Sequence, residues 1–268
     1  MVVARLVLAS LALWLLVLIT RPAAGLRAVG WRPLVMGVLE PGLVTILVSL
    51  GLTMTSPVSG SVFWGLTPLL VPLLGRIVLR EHFEPVVMVA AIVAGAGTMT
   101  LAWGQSHHGG GSLIGDALVA SGVLASALNA LLSRRNAQLG AHPLVTSSWQ
   151  LTSACCVATS LLFLLPASDL SATKASPHSL GVLLYLGLIV SVGVFIFSNY
   201  AVRHLPVARM SLLGCLTAPL GVMLSALFLG TSISALDVGA LCIVIAAVAL
   251  PALVQLLKRR HQGSGAMA

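Results

Sequence analysis

Long apolar runs separated by short polar gaps dominate this chain, and their lengths predict its elements. Nine stretches are read as membrane-spanning helices: 6–20, 34–53, 58–79, 85–103, 113–133, 143–165, 180–201, 207–229 and 234–257. A helix needs about 20 apolar residues to cross a hydrocarbon core of about 30 Å. The connections are brief. Thr53–Pro57 reads as an uncharged turn, 104–112 as a flexible link holding His107, His108 and a run of glycines, and 166–179 as the longest polar loop.

The basic residues fall into alternate gaps. One set holds Arg21, Arg27 and Arg32, then Arg76 and Arg80, then Arg134 and Arg135, then Arg203 and Arg209, then Lys258, Arg259 and Arg260; the other holds only Arg5 and Lys174. Lys and Arg accumulate in cytoplasmic loops, so the richer set is expected inside, with the amino terminus outside and the carboxyl terminus inside. One misread helix would break this alternation. Composition agrees: 58% of residues are hydrophobic and 7% charged, against about 25% charged in soluble domains. Mean hydropathy is +1.08. The expected class is an all-α polytopic protein of the cell membrane, with nine transmembrane helices and lipid as its first partner. The net charge of +8 follows from topology and anionic headgroups and gives no reason to expect nucleic acid as a partner. Arg5 and the apolar run after it have the outline of a signal peptide. Arg21 and Arg27 follow closely, however, and no clean small-residue cleavage site precedes them, so a first membrane helix is expected.

The two parts of the chain resemble each other. Sliding Ser56–Leu101 by about 151 positions lays Pro68 on Pro219, Leu69 on Leu220, Val71 on Val222, Val87 on Val238 and Ala96 on Ala247. By the charge count, the helix holding Pro68 runs inward and the helix holding Pro219 runs outward. Matching segments of opposite orientation indicate an inverted-topology repeat, as in many secondary transporters. Inversion requires an odd number of helices per repeat. Five runs follow the glycine link and four precede it. Two inverted five-helix repeats are therefore expected, the first incomplete, over 1–103 and 113–257, followed by a cytoplasmic tail at 258–268 expected to be disordered. Loss of the first of ten helices, through a misplaced start or in a true nine-helix variant, would leave this pattern.

Ser56–Glu81, SPVSGSVFWGLTPLLVPLLGRIVLRE, and His204–Thr231, HLPVARMSLLGCLTAPLGVMLSALFLGT, carry a small-residue entry and a mid-helix Thr-Pro or Ala-Pro step; the first also closes on Leu-x-Glu. With Leu39–Gly42, LEPG, these stretches resemble the drug/metabolite transporter superfamily, in its EamA-type branch of paired five-helix repeats. The resemblance covers nearly the whole chain and implies solute transport across a membrane. It departs at Thr231, where the second motif usually ends in an acidic residue, and at the absent first helix, which in the family contributes to the central cavity.

Charged residues deep in a span are functional candidates by default. Glu40 is the strongest, about six residues into the second run, with Pro41 after it to break or kink the backbone. It could bind a proton or a cation in the pathway, or it could lie near the surface with Pro41 opening the helix and the carboxylate at its positive end. Asp116 and Asp237 lie in first turns, where the helix dipole favours them. Glu81 and Glu84 are expected to be solvated or paired with Arg80 and Arg76. Neutral polar residues inside spans, which avoid lipid, form a second set. Ser61, Trp64 and Thr67 share the face of Pro68; Gly122, Ser126 and Asn129 form a second face. Ser147, Gln150 and Ser153 form a third beside Trp149, and Ser191, Ser198 and Asn199 a fourth. They line a wet cavity or bond helix to helix. Small residues at Ala91, Ala94, Gly95, Gly97 and Thr98, and at Gly239, Ala246 and Ala247, permit close helix approach, within the chain or across a homodimer.

No catalytic pattern or nucleotide-binding loop occurs, so an enzyme is not expected. His107 and His108 lack partner ligands, and the four cysteines lie in apolar runs, so no metal site, disulfide or cofactor is expected. The expected function is alternating-access transport of a small organic solute or metabolite, as a proton- or gradient-coupled exporter. Its pathway would pass near Glu40, Trp64, Thr67, Pro68, Asn129, Gln150, Asn199 and Pro219. The alternative is a non-transporting membrane assembly partner or an inactive truncated transporter.

Overall fold

The computed structural model describes residues 2–22, 30–55, 57–81, 84–104, 112–164, 177–229 and 235–264. Among them every regular element is helical. In order these are α1 (Val2–Thr20), α2 (Arg32–Gly37), α3 (Val44–Met54), α4 (Pro57–Gly65), α5 (Thr67–Leu79), α6 (Pro85–Gly104), α7 (Leu113–Gln138), α8 (Pro143–Leu164), α9 (Pro177–Leu184), α10 (Val192–His204), α11 (Val207–Gly214), α12 (Thr217–Leu229) and α13 (Ala235–Ser264). Wide helical turns at Val38–Leu43 and Tyr185–Ser191 join α2 to α3 and α9 to α10. Arg27, Ser56, His107, His108, Lys174, Thr231 and loop residues 166–176 lie outside the described residues.

Among the described residues, six helical runs are long and apolar enough to cross a membrane: Val3–Thr20, Arg32–Met54, Leu113–Gln138, Ser179–His204, Val207–Phe228 and Ala235–Val254. Thr67–Leu79 is apolar but shorter, and Pro85–Thr100 is the apolar stretch of α6, which continues to Gly104. The expected run at 143–165 forms α8, yet its Thr, Ser and Gln residues hold down its hydropathy. The reason is burial: nearly every residue from Pro143 to Ala154 is enclosed by protein, and a helix shielded from lipid need not be apolar. At the other end, α13 runs on to Ser264, where a disordered tail was expected from 258.

The described chain divides into two compact units, and each draws on both sequence repeats. The first comprises residues 1–46 and 128–205. Its core is α1 laid on α8. Leu6, Ala9, Leu13 and Val17 recur at helical spacing on one face and meet Leu144, Val145, Leu151 and Ala154, with Val192 from α10. The opposite face of α1 presents Leu11, Leu15 and Leu18 outward, as a lipid-facing helix should. Lipid tails are as apolar as leucine, so close packing and hydrogen bonds must hold such helices together. Trp14 meets Trp149 edge to face at 5.2 Å between ring centres, and its Nε1 donates to Thr152 Oγ1 at 2.9 Å. Ser10 bonds the same hydroxyl at 2.9 Å.

The second unit comprises residues 47–127 and 206–268. Here α6 packs on α11 and α13 through Val87, Ala90, Ala91 and Ala94 against Leu212, Cys215, Val244 and Ala247. A Cβ on Gly97 would lie 2.7 Å from Val244 Cγ2, and one on Gly95 would lie 2.8 Å from the Gly65 carbonyl. The expected small-residue stripe thus splits between two neighbours: Ala91, Ala94 and Gly97 face α13, while Gly95 and Thr98 face α4. Gly239 and Ala246 are exposed, while Ala247 packs on α6 as expected and Ala240 joins it. Asp116 joins α7 to the end of α3 by accepting a hydrogen bond from Thr55 Oγ1. The Ser112 N–H reaches the Met54 carbonyl at 3.1 Å.

Candidate functional site

Glu40 sits where the second apolar run stops being a continuous helix. Helix precedes it from Arg32 and the backbone is helical again from Pro41, but Glu40 itself is extended, with φ −141° and ψ 121°. Pro41 is the cause: it disfavours the α conformation in the residue before it and supplies no N–H. The peptide bond between them is cis. Pro41 therefore interrupts the run and also heads the helical segment that follows it. Such a break frees backbone polar groups, which in lipid must find partners inside the protein. Gln150 on α8 supplies one, its Nε2 donating to the Glu40 carbonyl at 3.1 Å. Gly37 allows the approach, since a Cβ there would lie 1.9 Å from the Gln150 carbonyl oxygen and 2.1 Å from Ser153 Oγ.

The side chains around the break form one connected network. Asn129 Nδ2 on α7 donates to the Glu40 carboxylate at 3.1 Å. Gln150 Oε1 accepts from Asn199 Nδ2 on α10, also at 3.1 Å. The same nitrogen lies 3.0 Å from Ser147 Oγ and 3.0 Å from the Phe195 carbonyl. Ser133 Oγ donates to Asn199 Oδ1 at 2.9 Å. Gln150 and Asn199 are 3% and 5% exposed. Interhelical hydrogen bonds in membranes average about 0.6 kcal/mol each, so these bonds fix orientation more than they supply stability. One end of the Asn129 amide is left over: Oδ1 is buried and has no hydrogen-bond partner among the described residues.

Four predicted site residues, Glu40, Asn129, Gln150 and Asn199, are thus brought together in the first unit. Trp64, Thr67, Pro68 and Pro219 belong to the second. There the sequence motifs place each proline at a Thr-Pro or Ala-Pro step in the middle of one helix. Instead α4 stops at Gly65 and α5 begins at Thr67, while α11 stops at Gly214 and α12 begins at Thr217. Each proline lies in the first turn of a new helix, where a missing N–H is tolerated. Tightened turns mark both breaks: Leu66 N–H to Phe63 O at 3.1 Å and Leu216 N–H to Leu213 O at 3.1 Å. Pro68 and Pro219 are buried, Trp64 is exposed, and the buried Thr67 Oγ1 has no partner among the described residues.

Other polar groups fasten helix ends. Glu84 does not pair with Arg76 or Arg80 but takes Arg209 of the second repeat, through Nη2 at 2.6 and 2.9 Å. Glu81 accepts the Val207 N–H at the start of α11 at 3.1 Å, so the first-repeat motif ends on the first turn of its second-repeat counterpart. Arg134 Nη1 donates to the Val202 carbonyl at 2.6 Å and thereby caps α10. In the turn before α8, His142 Nδ1 accepts the Leu144 N–H at 3.3 Å. Burial and the nearby Arg203 charge push the His142 pKa below its ordinary value.

Sequence reading missed Ser133, Asn136, Thr146, Ser10, Trp14 and Thr152. Ser133 and Asn136 follow Asn129 at helical spacing, and Asn136 bonds Thr146 at 2.9 Å. The signal was available, but the expected span ended at 133, whereas α7 runs on to Gln138.

A model of the EamA-like transporter family matches residues 1–103 and again 113–252. No curated protein matches the sequence. A solved crystal structure described simply as that of a protein superposes with a TM-score of 0.78, at 19% identity, over 96% of this chain and 87% of the other.

Proposed function

Because the chain belongs to the EamA-like transporter family, we propose that it carries a small organic solute or metabolite out of the cell by alternating access, coupled to a proton or ion gradient through Glu40. In this reading all nine apolar runs cross the cell membrane, amino terminus outside and carboxyl terminus inside, as two inverted repeats. The observation that carries the proposal is the broken helix at Glu40 and the amide network that receives it. Glu40 is the ninth residue of the 23-residue run Arg32–Met54, or roughly 12 Å along it. Discontinuous membrane helices place ionisable groups and freed carbonyls at the depth where transporters hold their cargo. The ionised carboxylate holds the Asn129 N–H. Neutralising it weakens that bond and loosens α7 from the break, so charge at one atom changes how two helices are held.

Counterflow in proteoliposomes tests this. Wild type should exchange at least one member of a broad panel of polar metabolites, and an imposed proton or ion gradient should accelerate it. Glu40→Gln should keep exchange and lose the acceleration. An unchanged gradient response in Glu40→Gln removes Glu40 from coupling. No exchange of any solute by a folded preparation refutes transport and leaves the assembly-partner reading.

A further inference from the structure

We propose that α11 is a hinged gate, clasped shut by Glu81 and Glu84 at one end of the transport pathway. This rests on the transport reading and adds its moving part. An asymmetry inside the second unit comes first. The sequence repeat lays α4 and α5 on α11 and α12, so packing of α5 on α11 has as its counterpart packing of α12 on α4. Only the former is made: α5 lies against α11, whereas α4 and α12 form no packed pair among the described residues. The later half of one segment thus meets the earlier half of the other. The two segments are shut at one end and parted at the opposite end, as in one state of a rocking transporter.

The shut end is held by polar contacts. Glu84 accepts from Arg209 Nη2 at 2.6 and 2.9 Å, and Glu81 accepts the Val207 N–H at 3.1 Å. A crevice lined by Pro72, Arg76 and Met88 lies beside these carboxylates, so they bridge a place where packing is incomplete. The ion pair is partly exposed, with 30% and 44% of its side chains accessible, and such pairs break readily. Arg209 Nε is buried without a hydrogen-bond partner among the described residues, a cost that opening would relieve. A hinge is present as well. The helix stops at Gly214 and α12 begins at Thr217, with tightened turns at Cys215 and Leu216. A Cβ on Gly214 would meet nothing within 4 Å, so that end of α11 has room to turn. Behind the segment, Cys215 is buried in the cluster that holds Val87, Ala90 and Leu212.

Cys215 reports the gate. In the full-length protein in lipid nanodiscs, with Cys155, Cys156 and Cys242 replaced by Ala, a charged methanethiosulfonate should modify Cys215 slowly. Glu84→Gln and Arg209→Gln should each speed modification by at least about threefold, the population shift that loss of a partly exposed ion pair brings. Combining Glu84→Arg with Arg209→Glu should restore the slow rate. Parent rates in both single variants, including no modification of any, overturn the inference. So does acceleration that the charge reversal leaves in place. Equal acceleration at Cys155, in a protein keeping only that thiol, marks general loosening and overturns it too. The labelling needs no solute, so the two readings fail separately. Unchanged Cys215 rates in a protein that exchanges solute remove the gate alone; absence of all counterflow removes transport instead.

Discussion

Gly37→Ala should damage the site without touching any polar residue in it. The added Cβ would start 1.9 Å from the Gln150 carbonyl oxygen, and ordinary contact begins near 3.4 Å, so α2 must withdraw from α8 by about 1.5 Å. The obstacle is backbone and cannot rotate aside. That shift carries the Gln150 Nε2 to Glu40 carbonyl distance from 3.1 Å beyond hydrogen-bonding range. Overpacking of this kind costs about 1–3 kcal/mol, and the lost interhelical bond adds about 0.6–1.7 kcal/mol. Together they amount to about 2–5 kcal/mol. Thermal unfolding in detergent should show a clear fall in melting temperature, and counterflow should fall with it. Gly181→Ala on α9 is the control, because nothing lies within 4 Å of its added Cβ; it should be neutral or stabilise by up to about 1 kcal/mol through helix propensity. A Gly37→Ala protein that melts and exchanges solute like wild type would refute both the close approach and the place of Gln150 in the site.

Three further outcomes are expected. Glu81→Ala should lower stability by about 1 kcal/mol, read by thermal unfolding, because it strips an acceptor from the first turn of α11. Arg80 ends α5 with φ 54°, a left-handed conformation that glycine adopts freely, so Arg80→Gly should raise the melting temperature modestly, by about 0.5–1 kcal/mol. His142 has a lowered folded-state pKa, so the unfolded chain binds its proton first and stability falls as pH drops below about 6.5. His142→Asn, which keeps an acceptor for the Leu144 N–H, should flatten that part of the melting-temperature profile between pH 7 and pH 5.

Much of this protein was determined by its sequence alone. Apolar runs with helical spacing force helices, because a chain with 7% charged residues must satisfy its backbone internally in lipid. Pro41 after Glu40 dictated a break there, since proline acts on its neighbour's backbone locally. Asn129, Gln150 and Asn199 stood out for the same kind of reason: polar groups in apolar runs must turn away from lipid. Tertiary structure alone decided which of them meet. Residues 89 and 110 positions from Glu40 become its partners, and no local periodicity encodes that pairing. It also decided that Gly37, silent in the sequence, sets the distance between α2 and α8. Likewise Glu84 reaches Arg209 across 125 positions and not the arginines beside it. Hydrogen bonds and close packing act over a few ångströms of space, so only the assembled fold determines which distant residues they join.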